Sequence, residues 1–173
     1  MRHFTLFYIG ALFLMLISCQ QSQETIRGND RLETNKNIVR QYVEKFNAGD
    51  LAGLKEIFAE DALIYGVLGW GKVNEVMPIW RQLVDALEIQ LTIEDVIAEG
   101  NTVAIRYSER GRSRGSFFDK PATGKSYQLV AMEWFVIKDG KIHRRWGARD
   151  AASQAKQLGW DVPATKESHK SPE

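Results

Sequence analysis

Apolar residues in the first half of the chain follow the spacing of helices. They recur every three or four positions over Ile38–Phe46, and the Asn47-Ala48-Gly49 that follows favours a helix end. Asp50 is a suitable N-cap for a second short helix. The same spacing returns over Val73–Leu87, with Trp80 on the apolar side. This half of the domain is therefore predicted to be mainly helical.

Apolar and polar residues alternate in the second half, which is the pattern of half-buried strands. Helices that precede a run of strands are typical of an α+β fold. A strongly curved antiparallel sheet closed by helices forms a cone with a cavity, which is a natural site for a small molecule. The predicted strands are Ala62–Tyr65, Gln90–Ala98, Thr102–Arg112, Tyr127–Lys138 and Lys141–Arg149, and a short helix over Ala151–Leu158 follows them.

The last two strands form a predicted hairpin, because Asp139-Gly140 fits the positive φ angles of a type I′ turn. With this turn, Lys138 is expected to pair with Lys141, and Ile137 with Ile142. Farther from the turn, Phe135 is expected opposite Arg144, and Glu133 opposite Trp146. The side chains of Glu133, Phe135, Arg144 and Trp146 would then share one face of the sheet, together with Asp150 if the strand continues. A face that mixes an acid with bulky apolar groups suits a pocket better than a plain core.

Glu133 is the main candidate for acid–base chemistry. Removing a proton next to a carbonyl group needs a carboxylate whose pKa is raised by burial, and Glu133 lies between two aromatic residues. Two other interpretations stay open: Glu133 lines a pocket without catalysis, or it pairs with Arg144 across the hairpin. Asp150 is the second catalytic candidate, and it is alternatively the N-cap of the helix that follows it.

Eight further side chains are candidates for contact with a substrate. A developing enolate needs a hydrogen-bond donor, which a tyrosine hydroxyl or an arginine can supply. The remaining candidates would provide apolar contact. The donors are Tyr42, Tyr65, Tyr107 and Arg144, and the apolar candidates are Phe46, Trp80, Phe135 and Trp146.

The N-terminus has the features of an exported lipoprotein. Arg2 precedes an apolar run over Phe4–Ile17, which is too short to span a membrane and is typical of a signal peptide. Leu16-Ile17-Ser18-Cys19 is similar to the bacterial lipobox, in which the cysteine is diacylated and becomes the mature N-terminus. An ordinary signal peptide with an incidental cysteine is the alternative. Lipidation at Cys19 would anchor the protein in the bacterial cell envelope, and Gln20 favours the outer membrane.

Composition divides the chain around a single domain. Residues 1–18 are predicted as the signal peptide, 19–34 as a polar lipidated tether, 35–161 as the domain and 162–173 as a disordered tail. The chain has 23 Lys and Arg against 22 Asp and Glu, and the loss of Arg2 with the signal peptide makes the mature chain neutral. This balance gives no electrostatic basis for binding nucleic acid. One cysteine and three scattered histidines predict neither an intrachain disulfide nor a metal cluster.

Short motifs follow one another in a characteristic order over residues 35–160. They are Asn47-Ala-Gly-Asp-Leu51, Val96–Arg106, Gly111–Phe117, Pro121–Lys125, Asp139–Ile142 and Trp146 to Asp150. This series resembles the SnoaL-like polyketide (ester) cyclases of the nuclear transport factor 2-like superfamily. The resemblance implies an α+β cone, a pocket for an apolar or aromatic molecule, no cofactor, and a homodimer that associates through the sheet. In characterised members an acidic residue serves as the acid/base in an intramolecular aldol cyclisation of an aromatic polyketide ester.

The chain matches some of the family's site positions and departs from others. Glu133 matches the acid on the strand before the Asp-Gly turn, and Trp146 and Asp150 match the closing motif. The family often has an acid after the tryptophan, where this chain has Gly147, and a histidine in the loop after the second helix, where residues 64–70 have none. Two functional classes follow: a cofactor-free cyclase-like or isomerase-like enzyme, or a lipid-anchored module that binds a ligand or a protein without turnover.

Overall fold

Four helices pack against one sheet in the computed structural model, which describes residues 27–66 and 68–160. Helix α1 covers residues 27–47, α2 covers Leu51–Glu56, α3 covers Val73–Leu87 and α4 covers Ala151–Leu158. None of these described helices is both long and apolar enough to cross a bilayer. Residues 27–34, which the composition assigns to the tether, belong to α1. The predicted signal peptide, Cys19 and the tail over residues 162–173 lie outside the described residues.

The described strands form a six-stranded sheet in the order β2-β1-β6-β5-β4-β3. Neighbouring strands are antiparallel, except that β1 and β6 are parallel. Helices packed on a curved sheet confirm the α+β fold that the sequence predicts. The strands are β1 (Phe58–Gly66), β2 (Gly69–Lys72), β3 (Gln90–Glu99), β4 (Thr102–Arg112), β5 (Ser126–Lys138) and β6 (Lys141–Arg149).

Acidic side chains fix the beginnings of three helices. The Asp50 carboxylate accepts a hydrogen bond from the Gly53 amide at 2.9 Å, which confirms the predicted N-cap of α2. At α3 the carboxylate of Glu75 accepts from the Lys72 amide at 2.7 Å. Asp150 caps α4 through the Ser153 amide at 2.9 Å. Each cap pairs an amide that the first helical turn leaves without an intrahelical partner.

Aromatic rings fill the space between α1, α3 and the inner face of the sheet. Tyr42 of α1 lies at the centre, with its ring centroid 5.2 Å from that of Phe135 on β5. Phe46, Phe58 and Trp80 surround it, with centroids 6.1, 6.1 and 6.3 Å away. Most of these pairs meet edge to face, a favourable geometry for aromatic rings. The cluster holds the two helices on the sheet and forms one side of a cavity.

The β5–β6 hairpin leaves its predicted register after the second residue pair. The register shifts at this point, and His143 is the additional residue on β6. Arg144 consequently lies opposite Val136, so the prediction that it faces Phe135 is wrong. The pairs next to the turn are those predicted, Lys138 with Lys141 and Ile137 with Ile142.

The shift changes which side chains share a face with Glu133. Glu133 lies opposite Gly147, and Trp146 lies opposite Trp134. Side chains alternate along a strand, so a slip of one residue moves all later side chains to the other face. The predicted common face for Glu133 and Trp146 is therefore wrong, and Arg145 takes the place expected for its neighbour Arg144.

Candidate active site

A cavity of about 240 Å³ lies between the helices and the inner face of the sheet. Its walls are largely apolar, and residues 66 and 68–71 of the β1–β2 hairpin form part of them. Most of the charged side chains that line the cavity come from three adjacent strands, and one more, Glu75, comes from α3. The apolar wall includes Ile64, Val76, Trp80, Leu83 and Phe117, and the charged side chains of the sheet are Glu109, Glu133, Arg145 and Arg149.

Glu133 and Arg145 form a buried ion pair at the cavity wall. Guanidinium and carboxylate are in direct contact, and their side chains are 11% and 4% exposed. Glu133 Oε2 and Arg145 Nε are buried, and neither has a hydrogen-bond partner among the described residues. The guanidinium carbon also lies 5.9 Å from the centroid of the Tyr42 ring. Within this ion pair, one buried acceptor and one buried donor are thus left without a partner among the described residues.

Glu109 is the centre of a second buried network. Its carboxylate accepts a hydrogen bond from the Tyr127 hydroxyl at 2.8 Å and one from Arg149 Nε at 3.0 Å, and a second Arg149 nitrogen contacts it as well. Glu109 was not among the site residues predicted from the sequence. It follows Val103, Ile105 and Tyr107 at every second position of β4, and this alternation is the signal that could have placed it on the inner face. A lone acid in an alternating apolar strand needs a buried partner.

Three buried tyrosines, of which Tyr42 and Tyr107 line the cavity, are held in their neutral form. Burial raises the pKa of Tyr42, although the adjacent Arg145 opposes part of this effect. Burial and the neighbouring Tyr42 raise the pKa of Tyr107 well above its usual value. Burial and the charge of Glu109 also raise the pKa of Tyr127. These phenols therefore remain hydrogen-bond donors at neutral pH.

Arg149 keeps its charge although it is buried. Burial alone would lower its pKa, but the Glu109 carboxylate more than compensates, and the pKa is raised overall. No group of three or more potential metal ligands among His, Cys, Asp and Glu occurs within residues 27–66 and 68–160. The polar chemistry that these residues offer is that of carboxylates, guanidiniums and phenols.

Comparison with known proteins places this architecture in a family. The family model described as SnoaL-like polyketide cyclase matches residues 36–158. The chain belongs to this family. Among curated proteins, none matches the chain.

Solved structures share the fold of this SnoaL-like domain. AclR from Streptomyces galilaeus, assigned as a hydroxylase, is 21% identical with a TM-score of 0.69, and the match covers 74% of this chain and 97% of AclR. A protein from Xanthomonas campestris pv. campestris assigned as a polyketide cyclase is 23% identical with a TM-score of 0.68, over 73% and 98% of the two chains. An LEH-like epoxide hydrolase from M. tuberculosis has 13% identity and a TM-score of 0.61, over 74% and 91%. At these identities the likeness is one of fold.

The SnoaL-like domain brings half of the sequence-predicted site residues to the cavity. Glu133 is there with four of the predicted contact residues, whereas Phe135 is fully buried in the aromatic cluster beneath. Asp150 serves as the N-cap of α4, which was its alternative role. The four contact residues at the cavity are Tyr42, Phe46, Trp80 and Tyr107.

The three remaining candidates lie on the outer face of the sheet. Tyr65 is on β1, and Arg144 and Trp146 follow the register shift on β6. Residues paired across neighbouring strands place Tyr65, Trp70, Trp134 and Trp146 in one row over four strands, which we call the outer aromatic row. Trp70 and Trp134 are 52% and 51% exposed, so this row is a surface feature, and at Trp70 it meets the rim of the cavity.

Proposed function

We propose that the SnoaL-like domain binds a small apolar or aromatic carbonyl compound in its cavity and carries out acid–base chemistry on it without a cofactor. The unpartnered oxygen of Glu133 beside the unpartnered nitrogen of Arg145 carries this proposal. Around this pair the cavity is apolar, as expected of a site that binds a small organic molecule. The family of cyclases to which the chain belongs supports the same class of reaction.

In this proposal Glu133 Oε2 accepts a proton from the carbon next to the carbonyl group. The electron pair moves onto the carbonyl oxygen, where Arg145 Nε–H or the neutral Tyr107 hydroxyl donates a hydrogen bond to the enolate. If the enolate is conjugated with a double bond, Glu133 returns the proton to the far carbon of that system and an isomer forms. Alternatively, the enolate carbon attacks a second carbonyl of the same molecule, and the alkoxide that forms takes the proton back from Glu133, which gives an aldol ring and restores the carboxylate. Both outcomes need no electron acceptor and no metal-bound group.

A binding module without turnover is the second candidate, and the arginine pairing favours it. Both buried carboxylates of the sheet are bound by arginines, Glu109 by Arg149 and Glu133 by Arg145. A carboxylate stabilised by an adjacent positive charge is a weaker base than an isolated buried one. In this case the cavity would hold an apolar molecule, and the ion pairs would serve the fold.

Deuterium exchange into 2-tetralone, an aromatic ketone, separates the two candidates. We expect the wild-type protein to accelerate exchange at the carbon next to the carbonyl in D₂O, followed by proton NMR. Glu133→Gln should reduce the rate to that of buffer, while Glu60→Gln, an exposed strand residue, should retain it. Binding of the neutral fluorescent ketone prodan, measured in parallel, reports the cavity itself. Binding with no exchange would favour the module, and neither binding nor exchange would contradict both.

We also propose that Cys19 carries a lipid anchor that places the domain in the cell envelope. The short apolar run before Leu16-Ile17-Ser18-Cys19 supports this. Incorporation of labelled palmitate into the wild-type chain, and its loss in Cys19→Ser, would be the expected result. Equal labelling of both forms would contradict the proposal.

A homodimer through the outer aromatic row is the corresponding proposal for a protein partner. Half-exposed tryptophans grouped on one surface are uncommon for a monomer, and a second copy would cover them. Sedimentation equilibrium should give twice the chain mass for the wild-type domain and the monomer mass for Trp134→Glu. A monomeric wild-type domain at micromolar concentration would contradict this.

A further inference from the structure

The space beside Glu133 is left open by the absence of a side chain at Gly147. Gly147 lies opposite Glu133 in the β5–β6 ladder. A Cβ atom built there would lie 2.8 Å from Arg145 Nη2, 3.0 Å from Cζ and 3.1 Å from Nη1. Real Cβ atoms essentially never approach a heavy atom as closely as the first of these distances. The Arg145 guanidinium therefore lies so close to Gly147 that the Cβ of any other residue there would displace it.

The backbone does not by itself require glycine at this position. Glycine is needed where φ is positive, and the positive-φ glycines of the described chain do not include Gly147. Gly147 is within strand β6, where a glycine weakens the strand and commonly marks a close approach of another group. Here the approaching group is the side chain two residues earlier on the same strand.

We propose that Gly147 is a positioning residue whose missing side chain allows Arg145 to lie on Glu133. This rests on the proposed function, because Glu133 is the group whose proton affinity the arrangement controls. With the guanidinium in place, Glu133 is held ionised and able to accept a proton. A side chain at 147 would press on the guanidinium, which is the flexible end of the arginine, and displace it, so the buried carboxylate would be less well paired with its counter-charge.

Titration of the Glu133 carboxyl tests this without any substrate. The protein is labelled with ¹³C at the glutamate Cδ, and the Glu133 signal is assigned with Glu133→Gln. In Gly147→Ala we expect the titration midpoint to move upward by about one pH unit or more relative to wild type, as for a buried acid that loses its charge partner. Gly66→Ala is the matched control, since Gly66 lies on β1 at the cavity with open space around its Cβ position.

A double-variant cycle separates positioning from general damage to the fold. Arg145→Ala should raise the same midpoint, and adding Gly147→Ala to it should have no further effect, because the displaced group is already gone. In wild type the ¹⁵Nη signals of Arg145 should show slow rotation of the guanidinium, a sign of the pair that does not depend on any variant folding.

Several outcomes would overturn the inference. They are an unchanged midpoint in Gly147→Ala, an equal change in Gly66→Ala, additive effects in the double variant, or free rotation of the Arg145 guanidinium in wild type. Failure of the proposed function is a separate result, since it would appear as absent exchange into 2-tetralone while the midpoint still depends on Gly147.

Discussion

The Tyr127 hydroxyl donates a 2.8 Å hydrogen bond to Glu109, and so connects β5 to the only described acid on the inner side of β4. Arg149 of β6 binds the same carboxylate, so one acid connects three adjacent strands. Charged groups in such a position are costly to bury unless their partners are complete. The network consequently makes the stability of the sheet sensitive to each of its members.

Replacing Glu109 by Gln should destabilise the domain strongly. The change leaves the Arg149 charge buried without its counter-ion, for which a loss of about 3–5 kcal/mol in the free energy of unfolding is typical. The matched control is Asp95→Asn, which breaks an exposed pair with Arg106 and should cost about 0–1 kcal/mol. Urea unfolding followed by circular dichroism measures both. Equal losses in the two variants would show that the Glu109 network is not a stabilising feature.

Stability should fall at alkaline pH because of the buried tyrosines. Tyr42, Tyr107 and Tyr127 have folded-state pKa values above the value of about 10 expected in an unfolded chain. As pH rises past 10, the unfolded chain releases these protons first, so the stability that is complete below pH 10 is lost above it. Each group contributes a slope of up to about 1.4 kcal/mol per pH unit.

Absorbance at 295 nm and far-ultraviolet circular dichroism, recorded together, check this expectation. Phenolate absorbance from the buried tyrosines should appear only as the helical signal disappears. In Tyr127→Phe the free energy of unfolding should decline less steeply above pH 10, because the contribution of one tyrosine, up to about 1.4 kcal/mol per pH unit, is removed. Ionisation of all tyrosines in the folded protein would contradict the expectation.

Local patterns predicted most of the fold because each element is specified by neighbouring residues. The bounds of α3, β4, β6 and α4 are those expected from the sequence, since periodicity and caps act within a few residues. Strand β2 was missed, because Gly69-Trp70-Gly71-Lys72 has too little apolar alternation to indicate a strand. Its pairing with β1 depends on the tertiary structure.

The site was less predictable because a single residue decides its composition. The Asp139-Gly140 turn correctly sets the first pairs, but nothing in the local sequence marks His143 as the additional residue. Because of this additional residue, Arg145 and not Arg144 lies opposite Phe135, and Gly147 and not Trp146 lies opposite Glu133. The ion pair of Glu133 with an arginine was one of the open interpretations, although with the wrong arginine. A one-residue shift in register changes which side chains face one another, so a site predicted from the unshifted register has the wrong composition.

Trp80 and Trp146 should differ in their effect on ligand binding. Trp80 lines the cavity, whereas Trp146 lies on the outer face against Trp70, with ring centroids 5.6 Å apart. Trp80→Phe should weaken prodan binding about tenfold, since it removes apolar contact area worth about 1.4 kcal/mol. Trp146→Phe should leave the dissociation constant within about twofold, which is the scale of neutral changes outside a site. A reversed order of the two effects would place the ligand on the outer face.

Asp150 offers a clear separation between a capping role and a catalytic one. Its carboxylate accepts from the Ser153 amide at 2.9 Å, so Asp150→Ala should lower the free energy of unfolding by about 0.5–2 kcal/mol. Asp150→Asn removes the charge but keeps a good N-cap, and it should retain nearly wild-type stability. If Asp150 only caps α4, the Asn variant should also retain the rate of deuterium exchange into 2-tetralone. Loss of exchange in a fully stable Asn variant would instead assign the carboxylate to the reaction, because the helix cap would be intact.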